Sequence, residues 1–121
     1  MVRTKRLFGV AAAALAAATL AGCTPAPPPP EQLVGETLEQ TENALQGPFI
    51  ILDISQNVIG KSPSYDDGKD PAGWSVLVAC KSASGSGYVV AVIPRSAATK
   101  TIVTSARAGD YGSFVDGCSK G

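Results

Sequence analysis

The sequence predicts a small α+β domain, with one helix packed on an antiparallel sheet of about three to four strands and one disulfide. Three observations carry this expectation. A capped amphipathic stretch occupies residues 37–45. An alternating apolar run follows at 49–54. Two further apolar runs, 74–81 and 88–94, flank a Ser/Gly stretch in the pattern of a hairpin.

Ahead of the domain stands a leader. Arg3, Lys5 and Arg6 precede an apolar stretch of 15 residues, 7–21, broken by one hydroxyl at Thr19. That length suits a signal-peptide core and is short for a spanning helix, which needs about 20 residues. The stretch ends on Leu20-Ala21-Gly22-Cys23, where Ala21 and Gly22 have no bulk to obstruct a peptidase. This resembles the lipobox of bacterial lipoproteins and covers about the first fifth of the chain. The resemblance implies a signal peptide over 1–22, a diacylglyceryl group on the thiol of Cys23, and cleavage just before it. It further implies a protein held by acyl chains such as palmitate on the extracytoplasmic face of the cell membrane. Two or more chains anchor durably, because each buried methylene contributes about 0.8 kcal/mol.

Residues 24–30, Thr-Pro-Ala-Pro-Pro-Pro-Pro, read as a tether. Proline fixes φ and removes N–H donors, so this stretch favours polyproline II at about 3.1 Å per residue and a standoff of roughly 20 Å. The expected organisation is leader 1–22, lipidated cysteine and tether 23–31, and one domain over 32–121.

Thr37 is a natural N-cap and Gln40 completes a capping box. Leu38, Thr41, Ala44 and Leu45 form one stripe, and Gly47-Pro48 supplies a stop. In the next run Ile50, Leu52 and Ile54 share a face, with Phe49, Ile51 and Asp53 opposite, so Asp53 marks a partly wet edge strand. Residues 55–73 read as a long loop with the acidic tip Tyr65-Asp66-Asp67-Gly68-Lys69-Asp70. The tip lacks EF-hand spacing and a glutamate at the twelfth position, so a solvated turn is the better reading than calcium. Trp74, Val76, Val78 and Cys80 should share one face of the hairpin. The Ser82–Gly87 stretch, written Ser-Ala-Ser-Gly-Ser-Gly, precedes a strand, so it lacks the helix terminus that a phosphate loop requires. Residues 99–104 suggest a weaker fourth strand, and 106–121 a Gly-rich tail with Tyr111, Phe114 and Val115 as anchors.

Composition bounds the chemistry. Without residues 1–22 the chain has 99 residues, and three of its ten basic residues are gone while all ten acids remain, a formal charge of −3. A mildly acidic domain without a basic stripe argues against nucleic acid and against electrostatic attachment to anionic lipid. The chain has no histidine, which removes Ser-His-Asp and Cys-His catalysts and His-ligated zinc. Asp53, Asp66, Asp67 and Asp70 are the candidate carboxylates near one region, but a Gly-rich loop does not hold an acid/base pair at a set distance. No catalytic residue, metal ligand or cofactor is expected. With Cys23 lipidated, Cys80 and Cys118 remain, and outside the cytoplasm such thiols tend to pair. The alternatives are two free buried thiols or an intermolecular bridge.

Leu33-Val34-Gly35-Glu36-Thr37-Leu38 and the helix ending in Ala44-Leu45 are similar to the opening of a PASTA domain. The run from Val76 to Ile93 is similar to that domain's closing hairpin, so the likeness spans about residues 31–94. It implies a non-enzymatic α+β binding module, with peptidoglycan as the expected ligand class and no ligand-binding residue to carry over. The expected partners are the membrane, through lipid on Cys23, and peptidoglycan or an envelope protein. The competing expectation is a protein–protein module, an inhibitor or accessory subunit of an exported enzyme, using the 55–73 loop.

Overall fold

The run Tyr88–Pro94 is almost wholly apolar, and it takes the one position in the sheet that is covered on both faces. The computed structural model describes residues 26–119. The described residues form helix α1 (Leu38–Ala44), strand β1 (Phe49–Asp53), helix α2 (Ser55–Ile59), strands β2 (Trp74–Lys81) and β3 (Tyr88–Pro94), and helix α3 (Lys100–Arg107). The strand order is β1-β3-β2. β2 and β3 pair antiparallel as the expected hairpin, whereas β1 pairs parallel to β3. The fold is thus α+β as the sequence predicts, with a mixed sheet in place of an antiparallel one. The reason lies in the order of burial: β3 displaces β1 from β2 by taking the centre.

Three elements differ from the sequence reading. Residues 55–73 are not all loop, because α2 opens them and a 3-10 turn, Pro71–Gly73, closes them. Ile54 and Val58 lie one helical turn apart on the same core, and Gly60 ends α2 in the left-handed region at φ 70°. Residues 99–104 hold no strand. Thr99 caps α3 by accepting from the Ile102 N–H at 3.2 Å, and Ile102 and Ala106 face the core at i, i+4 spacing. Finally α1 ends at Ala44, with Leu45 already extended, before the cis Gly47-Pro48 bond is reached. The capping box at its start is complete, with Gln40 N–H to Thr37 Oγ1 at 3.1 Å and Thr37 N–H to Gln40 Oε1 at 2.8 Å.

The sheet is the middle of three layers. One face packs Trp74, Val76, Ala79, Val90 and Val92 against Leu38 of α1. The other packs Leu77, Val89, Ala91 and Ile93 against α2, α3 and Val115 of the tail. A bulge between Val76 and Val78 sets this division. It inserts one residue into β2, so Val78 and Cys80 leave the face of Trp74 and Val76 and turn to the opposite core. That phase change puts Cys80 next to the tail. Cys80 and Cys118 form a disulfide with Cα atoms 5.6 Å apart.

The segments before α1 and after α3 secure the outer edge of β2. The segment leading into α1 runs antiparallel beside it, with Gly35 N–H to Val76 O at 2.8 Å and Val76 N–H to Glu36 O at 2.9 Å. The tail covers the other end, with Ser119 N–H to Lys81 O and Ala83 N–H to Gly117 O, both at 2.7 Å. Gly35 lies under the Arg107 guanidinium, and its φ of +96° is in the left-handed region that favours glycine. Arg107 Nε also donates to Val34 O at 3.3 Å, tying α3 to the leading segment.

Candidate functional site

The sheet has two ends with different chemistry. At one end stand Phe49, Lys81 and Tyr88, which are register partners, and at the other stand Asp53 and Trp74.

The hairpin end carries an open groove. Residues 27–31 form one wall, and Cys80, Lys81, Tyr88 and Ser119 the other, around a volume of about 500 Å3. A second hollow of about 340 Å3 continues past Lys81 and Tyr88 to Gln46, Ser82, Gly85 and Gly87. Local pairing builds this surface. The Tyr88 N–H donates to Pro48 O at 3.0 Å, and its ring stacks on Phe49 with centroids 5.9 Å apart. Gly87 at φ +78° lets the hairpin pass directly against the Pro48 carbonyl. The Ser82 and Ser84 hydroxyls share a 2.8 Å hydrogen bond, and the Ser84 N–H donates to Ser82 Oγ at 3.2 Å. The disulfide and its flanking bridge, Ser82 to Cys118, hold the wall.

The other end is organised by one carboxylate. Asp53 Oδ1 accepts from the Ser55 N–H at 2.9 Å, and Oδ2 accepts from the N–H groups of Ser64 at 2.7 Å and Tyr65 at 3.0 Å. Partial burial pushes this carboxyl up, but hydrogen bonding from Ser55, Ser64 and Tyr65 outweighs it and holds its pKa below the usual value. Asp53 is therefore a clamp that seats the 61–65 segment on the end of β1. Tyr65 then packs edge-on against Trp74, with ring centroids 5.1 Å apart. Burial pushes the Tyr65 hydroxyl above its ordinary pKa, and the negative charges of Asp67, Glu42 and Asp66 add to the shift. Asp66 and Asp70 shape the exposed turn, accepting from the N–H groups of Gly68 at 2.8 Å and Ala72 at 2.9 Å.

The sequence-level candidates fall out as follows. Cys23 lies outside the described residues. Cys80 and Cys118 are brought together. Asp53 is separated in role from Asp66 and Asp70, since both of its oxygens accept backbone donors, two of them 11 and 12 residues away, whereas Asp66 and Asp70 each accept from an N–H two residues on. Among the described residues no three acidic or cysteine side chains converge as a metal site would require. Sequence reasoning missed Lys81, Tyr88 and Phe49 as one surface. The available signal was an aromatic at the first position of each of two strands, beside a serine-rich turn. The groove is lined by the Tyr88 ring, the Lys81 side chain and the Glu31 carboxylate. No family model, curated protein or solved structure matches the chain.

Proposed function

We propose that this chain is a membrane-anchored envelope lipoprotein whose domain is a non-enzymatic, PASTA-like binding module for cell wall or an envelope partner. The Cys80–Cys118 disulfide carries the reading, because it suits an oxidising compartment beyond the membrane. The lipobox at Leu20-Ala21-Gly22-Cys23 supplies the route there, and the proline tether the connection. The absence of histidine from the chain and the open groove beside Lys81 and Tyr88 support a module that holds a ligand without transforming it.

Detergent partitioning of the Cys23→Ala protein tests the anchor: the variant should leave the membrane fraction, and equal retention would end the lipoprotein reading. Pull-down on purified sacculi tests the ligand class. Retention should exceed that of an inert control and fall in Tyr88→Ala; retention no better than the control would sink the wall-binding half.

A second reading is favoured by the Asp53 clamp. Two backbone donors, the N–H groups of Ser64 and Tyr65, hold the 61–65 segment on Asp53 before any partner arrives, which lowers the ordering cost of insertion into a partner's cleft. The chain would then be an inhibitor or accessory subunit of an exported enzyme. Replacing Asp66, Asp67 and Lys69 together by serine should abolish partner co-purification and leave wall retention intact.

A further inference from the structure

We infer that the outer edge of β1 is a self-association surface, on which β1 of a second copy pairs antiparallel about a twofold axis at Ile50. This goes beyond the binding-module reading and does not depend on it.

The edge is open by parity. In a parallel ladder, alternate residues of a strand give both their N–H and C=O groups to the neighbour. The Tyr88 N–H donates to Pro48 O, and the Ile54 N–H donates to Val92 O. These bonds bracket the ladder and assign the main-chain groups of Pro48, Ile50, Leu52 and Ile54 to β3. Phe49, Ile51 and Asp53 therefore turn theirs outward. Among the described residues, nothing donates to or accepts from those main-chain groups. The usual guards of an edge are missing as well. β1 carries no lysine and no bulge, and Pro48, which has no N–H, is of inward parity. The outer edge of β2, by contrast, is covered by the segments before α1 and after α3.

Ile50 fixes the register and the occupant. It is 55% exposed, the most exposed large apolar side chain among the described residues, and it belongs to neither core. With the axis at Ile50, Phe49 and Ile51 of one copy exchange hydrogen bonds with Ile51 and Phe49 of the other. Ile50 then meets its own counterpart at a position without hydrogen bonds, where Cα atoms approach to about 4.5 Å and side chains are closest. An identical strand is thus the occupant that covers Ile50 with Ile50. The 47–52 window carries no charge, so it gives a foreign strand no electrostatic feature to select. The same axis sends the two Asp53 carboxylates to opposite ends of the ribbon, so like charges do not meet. The product is a continuous six-stranded sheet, three strands from each copy. It closes on itself, because both of its outer edges are covered β2 edges.

Disulfide trapping in the full chain, purified in mild detergent with Cys80–Cys118 intact, tests this pairing. Ile50→Cys should oxidise to a covalent dimer severalfold faster than Phe49→Cys, Ile51→Cys or Leu52→Cys, because only position 50 faces itself. A separation of about 4.5 Å lies within the span of about 4.4–6.8 Å that a disulfide bridges. Peptide mapping must place the link between the two copies of position 50, which separates it from a link through Cys23 or a reshuffled native pair. Faster trapping at 49, 51 or 52, or none at 50, overturns the proposal. In the otherwise native chain, sedimentation should show a concentration-dependent dimer that Ile50→Lys abolishes with the Tm unchanged. A dimer undiminished by Ile50→Lys, or a monomer at every concentration, overturns it too. So does an Ile50→Cys link in cells to a different envelope protein without the homodimer, which would assign the edge to a foreign strand.

Discussion

Asp53 shows how one side chain can be read correctly for polarity and wrongly for role. An acid in an apolar strand signals an edge, and β1 is an edge strand. Its partners come from 11 and 12 residues away, so local pattern could not reveal them. Asp53→Asn keeps one acceptor oxygen and loses the charge-assisted bonds, for an expected cost of about 1–2 kcal/mol by urea denaturation. The acid limb should also change. A carboxyl held below its unfolded value of about 3.9 stabilises the fold fully above that pH, and the contribution is lost as pH falls through the folded value. Stability of Asp53→Asn should therefore depend less on pH below about 4; an unchanged profile would remove the clamp. Gly87 supplies a second test. At φ +78°, with Pro48 O where a Cβ would stand, Gly87→Ala should cost about 1–3 kcal/mol. Calorimetry should record this as a lower Tm.

At the level of elements, legibility followed length and punctuation. The start of α1 was readable because Thr37 and Gln40 form a reciprocal cap in sequence and in space. The hairpin was readable because two apolar runs flank a turn-rich stretch. Helix α3 was not, because Thr99, Thr101, Ile102, Val103 and Thr104 are β-branched and favour a strand on propensity. The cap at Thr99, the core spacing of Ile102 and Ala106, and the stop at Gly109 with φ +86° prevailed over propensity. Thr99→Ala should therefore destabilise by about 1 kcal/mol and lower helical circular dichroism. A strand would show no such dependence on that hydroxyl. Helix α2 spans five residues, too few for a periodic signal to separate from loop.

Across the whole molecule, the helix-on-sheet architecture was legible and the direction of strand pairing was not. Alternation identifies strands, but it is silent on which strand sits between the others. That was settled by burial, since Val89, Val90, Ala91, Val92 and Ile93 are all buried and only a central strand satisfies both faces. The bulge was equally silent in sequence, and it decides which core receives Cys80. The pairing of Cys80 with Cys118 was foreseen from compartment and count, and the bridge closes a separation of 38 residues. In the chain-entropy model this contributes about 4 kcal/mol, a large share of the stability of so small a domain. Replacing both cysteines by serine should lower the urea midpoint accordingly and loosen residues 115–119 first, read as faster amide exchange there.

The strip of chain beside β2 has a mechanical meaning. Tension applied at Pro27 pulls this segment along its own axis, because it runs from the hairpin end toward the Asp53 end before α1 begins. The Gly35–Val76 and Val76–Glu36 bonds then bear load side by side, in shear, and must yield together. Tension applied to the chain beyond Cys118 meets the Cys80–Cys118 bond, and that covalent link carries the force past residues 112–117. A domain held at one end and gripped at the other would thus resist stretching by two separate means, one at each margin of the same strand.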